Sequence, residues 1–207
     1  MVLKFIVCIA VGYLFGCFST GYLVGKHNHI NIKKEGSGNS GATNALRTMG
    51  VKAGIVTFAG DLLKTMIPVF VVRYVFRSSD LWYLYGMITG LGAVLGHNFP
   101  FWMKFQGGKG IAVTGAVIIS LADWKVTVIG IILFVSLVAV TRYVSLGSLA
   151  VAWYLPVNTL IYWRESEYFI HMLVISLCFT VLAYLRHAQN IKRLLNGTER
   201  KLGSGKK

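Results

Sequence analysis

Two stretches of this sequence pair closely spaced glycines with a cation, a combination that turns backbone N–H groups toward an anion and supplies a charge to meet it. In the first, Gly36, Gly38 and Gly41 are interleaved with the hydroxyls of Ser37 and Thr43, and Arg47 follows with a forked guanidinium suited to phosphate. The position of Arg47, where a following helix would begin, adds a helix N-terminus to that reading. A flexible polar turn is the competing one. In the second, Gly107, Gly108 and Gly110 surround Lys109, a compact point charge. Two nucleotide motifs fail on inspection. Gly36-x-Gly38-x-x-Gly41 matches the dinucleotide fingerprint in letters, but that motif needs a preceding strand and here follows an apolar stretch. A Walker A loop would need Gly at 103 and Ser or Thr at 110, where the chain has Met103 and Gly110.

Three further groups stand out. His187, Asn190 and Leu194 share one helical face at spacings of three and four, so His187 could hydrogen-bond a substrate or titrate near neutrality. A structural or solvated histidine is the plainer reading. Ser145 and Ser148 lie at a short, moderately polar loop that says little by itself. Asp61 and Lys64 sit at i and i+3 inside an apolar stretch, where opposite charges are costly unless paired or functional. Of the seven acidic residues only Glu35, Asp61 and Glu199 share a side with these loops, too few for a two-metal or two-carboxylate site. No metal or cofactor is expected. No His is followed five positions later by Asp, so the His-x4-Asp base of the common glycerolipid acyltransferases is missing.

The elements that must hold these loops are membrane helices. Hydrophobic residues make up 55% of the 207, and counting the 23 Gly while leaving out the 10 Tyr brings the apolar share to about 61%, against roughly 45 to 50% in soluble domains. The net charge is nevertheless +14. High hydrophobicity excludes disorder, and apolar runs as long as a bilayer is thick exclude a soluble nucleic-acid binder. The runs fall near 2–25, 53–75, 81–96, 111–122, 126–141, 147–163 and 168–185. The third and fourth are short for a span, so the sequence predicts an all-α integral membrane bundle of about seven helices, with five as the alternative. Continuous apolar blocks, without alternation, disfavour a membrane barrel. The first run reads as a retained helix, since it is long, lacks an Ala-x-Ala site and is followed by further spans. Cys8, Cys17 and Cys178 all lie in apolar runs, with no disulfide or zinc spacing, and read as buried small hydrophobes.

With seven crossings, fifteen of the 21 basic residues fall on one side and five on the other. The positive-inside rule then places residues 26–52, 97–110, 141–146 and 186–207 in the cytoplasm, with the amino terminus outside and the carboxyl terminus inside. Phe99, Phe101, Trp102 and Phe105 would lie at the bilayer surface, where aromatic anchoring is the expected role.

Gly36-Ser37-Gly38-Asn39 with Gly41-Ala42-Thr43-Asn44 and Arg47, then Gly96-His97 with Phe99-Pro100 and Gly107-Gly108-Lys109-Gly110, then Arg186-His187 with Asn190-Ile191, resemble the motifs of the bacterial acyl-phosphate:glycerol-3-phosphate acyltransferase family, in order and over nearly the whole chain. The resemblance implies a multi-pass enzyme of the bacterial inner membrane with a cytoplasmic active site. It would move a fatty acyl group from acyl phosphate to glycerol 3-phosphate, giving lysophosphatidic acid and phosphate, the first acylation of phospholipid synthesis. Ser37, Arg47, Lys109, His187 and Asn190 would be its catalytic set. Gly36, Gly38, Asn39, Gly41, Thr43, Asn44, His97, Gly107, Gly108, Gly110, Ser145 and Ser148 would bind substrate. Its partners would be the two substrates and membrane lipids, with no nucleic acid and no obligatory protein partner. The rival from another class is a transporter or flippase for an anionic lipid or phosphate ester. That reading is weakened by the lack of an internal repeat and by scarce acidic residues for coupling ions. A non-catalytic membrane scaffold would leave the polar loops unexplained.

Overall fold

The computed structural model describes residues 1–203; the final basic residues Lys206 and Lys207, counted above on the cytoplasmic side, lie outside the described residues. The described chain is helical, without a strand: α1 (Val2–Gly16), α2 (Thr20–His27), α3 (Ala42–Val75), α4 (Trp82–Asn98), a 3-10 turn (Phe101–Met103), α5 (Ile111–Leu121), α6 (Trp124–Thr141), α7 (Val144–Val151), α8 (Tyr154–Tyr162), α9 (Phe169–Arg186) and α10 (Ala188–Leu195). Among the described residues, five segments are long and apolar enough to cross a bilayer: Val2–His27, Ala42–Val75, Trp124–Thr141, Val144–Tyr162 and Phe169–Arg186. The two runs noted as short are the 17-residue α4 and the 11-residue α5. At ~1.5 Å per residue, α5 is well short of the roughly 30 Å hydrocarbon layer.

The chain packs as two compact units, Met1–Leu121 and Ala122–Lys207. In the first, α1 lies against α4 through glycines on both faces. Gly12 and Gly16 abut the main chain of Thr89 and Ala93, while Gly92 and Gly96 abut that of Ile9, Tyr13 and Cys17. A Cβ at any of these positions would overlap backbone. Small residues at four-residue spacing allow this approach, and close van der Waals packing is what joins helices where lipid removes the hydrophobic drive. Around this pair, α3 packs against α2, α4 and α5. The outward faces carry exposed Leu3, Ile6, Phe58, Leu63 and Phe70, as expected of lipid-facing helices.

The first apolar run is not one continuous helix. It breaks at Cys17–Ser19, where Ser19 takes an extended conformation (φ −94°, ψ 91°) as the N-cap of α2. The freed carbonyls are satisfied from elsewhere in the unit, Phe18 O by Lys64 Nζ (2.7 Å) and Cys17 O by Trp102 Nε1 (2.9 Å). Broken helices at membrane depth require such partners. Trp102 is therefore more than an interfacial anchor. Its indole is bonded to the helix break and its ring meets Tyr22 edge-on at 5.2 Å, although its outer face is exposed like Phe101 and Phe105. The following helix also starts earlier than Arg47 suggested. It begins at Ala42 behind the N-cap Gly41, because the Ala-Thr-Asn-Ala-Leu-Arg run sustains a first turn, and it kinks at Gly50 (φ 86°, ψ −178°).

In the second unit, α6 packs against α7, and α9 against α7, α8 and α10. The expected run over 147–163 is a helix pair, α7 and α8, interrupted at Ala152–Trp153, and Thr180 Oγ1 of α9 donates to the freed carbonyl of Ala152 at 2.7 Å. Cys178 is half-buried, unlike the buried Cys8 and Cys17, because it lies on the less covered side of α9; all three are free thiols.

Candidate active site

The first glycine-rich loop is held by one side chain. Asn44, buried on the first turn of α3, accepts from Ser37 N through Oδ1 (2.9 Å) and donates through Nδ2 to Glu35 O (3.0 Å) and Ile32 O (3.4 Å). Gly36 (φ 58°) and Gly38 (φ 68°) are left-handed, and a Cβ on Gly36 would overlap the Asn44 amide. Asn39 Oδ1 accepts from Gly41 N (2.8 Å), which closes the turn into α3. Asn39 and Asn44 thus shape the loop through bonds to its own backbone. Ser37 and Arg47 are exposed, and Thr43 is half-buried beside them.

The second loop folds back on the end of α4. Gly108 N donates to His97 O and Gly107 N to Asn98 O, both at 2.9 Å, so the Pro100–Gln106 excursion returns to its starting point. Gly110 (φ 84°) then turns the chain into α5. Lys109, half-buried, therefore stands among three glycines immediately before the N-terminal end of an 11-residue helix, where backbone N–H groups and the helix dipole favour an anion.

Beneath this loop lies a buried polar cluster that the sequence showed only in part. Lys64 Nζ is 2.8 Å from Asp61 Oδ1, so the pair at i and i+3 is real, and it is 2.8 Å from His97 Nδ1 as well. The side chain of Asn98 is also wholly buried, with neither amide atom hydrogen-bonded to protein. Its position next to His97 was the only signal for it in the sequence.

In the second unit the hub is Glu199. Its Oε1 accepts from Ser145 Oγ (3.0 Å) and Asn190 Nδ2 (2.7 Å), and its Oε2 from Arg193 Nε (2.7 Å). The structure thus joins Ser145 to Asn190 through a carboxylate that no spacing rule marks. Burial pushes the Glu199 carboxyl up, but the hydrogen bonds from Arg193, Asn190 and Ser145, with the Arg193 charge, outweigh it and hold the carboxyl below its ordinary value. His187 caps both α9 and α10 and is buried. Its Nδ1 lies 2.8 Å from Ala183 O. A carbonyl only accepts, so Nδ1 carries the proton and in the neutral ring Nε2 holds the lone pair. Ser148 Oγ is turned back to Val144 O (2.8 Å). Among the described residues, no group of three or more His, Cys, Asp or Glu side chains converges as a metal site would require.

Membrane-length apolar segments that carry glycine-rich loops, with Arg47 and Lys109 close by in the chain, define an all-helical, multi-pass membrane protein. Residues 6–197 match the glycerol-3-phosphate acyltransferase family. Curated relatives with that name include one from Thermoanaerobacter pseudethanolicus (39% identical, 93% of each chain) and one from Alkaliphilus metalliredigens (42%, 94% of each). Among solved structures, PlsY, an integral membrane glycerol 3-phosphate acyltransferase, superposes with a TM-score of 0.83 in its glycerol 3-phosphate form and 0.80 in its lysophosphatidic acid form. Each is 30% identical and covers 97% of this chain and 96% of the other. The chain belongs to the glycerol-3-phosphate acyltransferase family, and with it to the membrane acyltransferases of lipid biosynthesis.

Proposed function

We propose that the protein transfers a fatty acyl group from acyl phosphate to glycerol 3-phosphate, releasing inorganic phosphate and lysophosphatidic acid. The observation that carries this reading is Lys109 among Gly107, Gly108 and Gly110 before α5, in a chain akin to an enzyme solved with glycerol 3-phosphate and with lysophosphatidic acid. Both substrates carry phosphate, so two anion-binding loops meet a need of the reaction. Arg47 and Lys109 are the cations assigned to them, with Ser37, Thr43 and the loop glycines as donors. His97, Asn39, Asn44, Ser145 and Ser148 complete the binding set, several of them through the backbone or carboxylate they hold.

The reaction needs little covalent help from the protein. Phosphate is a competent leaving group, so positioning and stabilisation of developing charge are the main requirements. The glycerol hydroxyl oxygen bonds to the acyl carbonyl carbon, the carbon–oxygen bond to phosphate breaks, and the hydroxyl proton passes to His187 Nε2 or to a substrate phosphate oxygen. The lone pair on His187 Nε2, left by the Nδ1 bond to Ala183 O, suits that role. Asn190, held by Glu199, is a donor for the developing charge. Ser37 acts as a donor and forms no acyl ester. In the membrane we infer seven crossings, α4 and α5 included, with the amino terminus outside. Segments 26–52, 97–110, 141–146 and 186–207 then lie on the cytoplasmic side of the inner membrane, within a single acyltransferase domain.

The test is a comparison of donors. Purified protein in detergent, given glycerol 3-phosphate, should make lysophosphatidic acid from acyl phosphate and none from acyl-CoA. Product from acyl-CoA alone would contradict the assigned donor. Labelled acyl chain retained on Ser37 when the acceptor is omitted would contradict direct attack.

A further inference from the structure

We propose that the buried Asp61–Lys64 pair acts as a positioning device for His97, fixing the ring with its proton on Nε2, aimed at the Gly107–Gly110 loop, and so setting that loop's hold on a substrate phosphate. The link to phosphate rests on the function proposed above; the proton placement stands without it. Lys64 Nζ has three acceptors at bonding distance: Asp61 Oδ1 (2.8 Å), Phe18 O (2.7 Å) and His97 Nδ1 (2.8 Å). An ammonium carries three protons and accepts none, so His97 Nδ1 supplies a lone pair and the neutral imidazole keeps its proton on Nε2. Asp61 Oδ1 is 3.7 Å from His97 Nδ1, beyond hydrogen-bond reach, and acts through the ammonium.

The other end of the ring meets the loop. A Cβ on Gly108 would overlap His97 at Nε2, Cε1 and Cδ2, so the imidazole lies across the face of Gly108, next to Lys109. The carbonyl of His97 accepts from Gly108 N at 2.9 Å. One residue thus touches the glycine loop through both backbone and ring, and its ring is held from behind by Lys64. Stability alone is a poor reason for such a pair, because a buried ion pair is commonly replaceable by apolar residues without loss. A pair whose third bond chooses a tautomer has a reason to remain charged.

The experiment uses the full chain in detergent with 15N-labelled histidine. The His97 signal is assigned by its loss in His97→Gln, and long-range proton–nitrogen spectra read which ring nitrogen is protonated. Wild-type protein should show the Nε2–H form, and the double variant Asp61→Leu/Lys64→Met, which leaves no charge unpaired, should show a mixture. An Nδ1–H ring in the wild type, or an unchanged ring in the double variant, would overturn the proposal even if the protein proved to use other substrates. In turnover, the double variant should raise KM for one phosphate substrate by about tenfold or more, with kcat changed less. His97→Gln, whose amide nitrogen sits near the Nε2 position, should retain more activity than His97→Asn, whose amide sits near Nδ1. The reverse order would also overturn it.

Discussion

The two compact units hold their polar groups by opposite means. In Met1–Leu121 the loops are shaped by absent side chains and by backbone: left-handed glycines, two main-chain bonds from Gly107 and Gly108 to the end of α4, and one asparagine amide. The buried pair of Asp61 and Lys64 lies beneath the second loop and reaches it through His97. In Ala122–Lys207 one carboxylate, Glu199, gathers Ser145, Asn190 and Arg193 directly. The first design is intolerant of added atoms. The second depends on the charge of a single group.

The largest expected effect falls on the first unit. Lys109→Met should lower kcat/KM by about 100-fold or more while the protein stays folded, as loss of a charge that meets a reacting phosphate would. Near-normal turnover would remove Lys109 from the site. Gly108→Ala tests intolerance to added atoms. The new methyl would meet the His97 ring, and overpacking of this kind costs about 1–3 kcal/mol, so activity should fall about tenfold or more with a lower thermal midpoint in detergent.

The second unit should respond to charge. Glu199→Gln keeps the shape but turns one accepting oxygen into a donor NH2, so at least one of the three hydrogen bonds is lost and about 1 kcal/mol of stability or more should go with it. The folded-state carboxyl titrates below its unfolded value, so its stabilisation is present above the ordinary carboxylate range and is lost as pH falls through the lowered folded value. Thermal midpoints measured between neutral and acid pH should therefore show wild type and Glu199→Gln converging toward acid; parallel curves would argue against the hub. The smallest effect on turnover belongs to Gly50, whose Cβ would meet nothing within 4 Å. Gly50→Ala should leave kcat unchanged and cost only the strain of a backbone conformation (φ 86°, ψ −178°) that is essentially reserved for glycine, about 1–3 kcal/mol.

Much of this was legible in the sequence because it lies close along the chain. The apolar runs, both glycine loops and the Asp61–Lys64 spacing are local patterns, and α4 and α5 already read as short. Contacts between distant residues were not legible. His97 joins Lys64 across 33 positions and Ser145 reaches Glu199 across 54, and no periodicity connects them. The break at Cys17–Ser19 was hidden because an unbroken apolar run reads as one helix; the partners that make the break tolerable, Lys64 and Trp102, come from other helices. The same holds for Asn44, whose motif position suggested a ligand and whose amide holds the loop's own backbone.

On the function proposed here, this chain couples acyl phosphate to glycerol 3-phosphate through Arg47 and Lys109. The most direct measurement follows phosphate release and lysophosphatidic acid together in purified wild-type, Arg47→Ala and Lys109→Met protein. The wild type should release one phosphate per lysophosphatidic acid, and the folded variants should make both products about 100-fold more slowly or worse. Phosphate released without lysophosphatidic acid, or full coupled turnover in either variant, would contradict it.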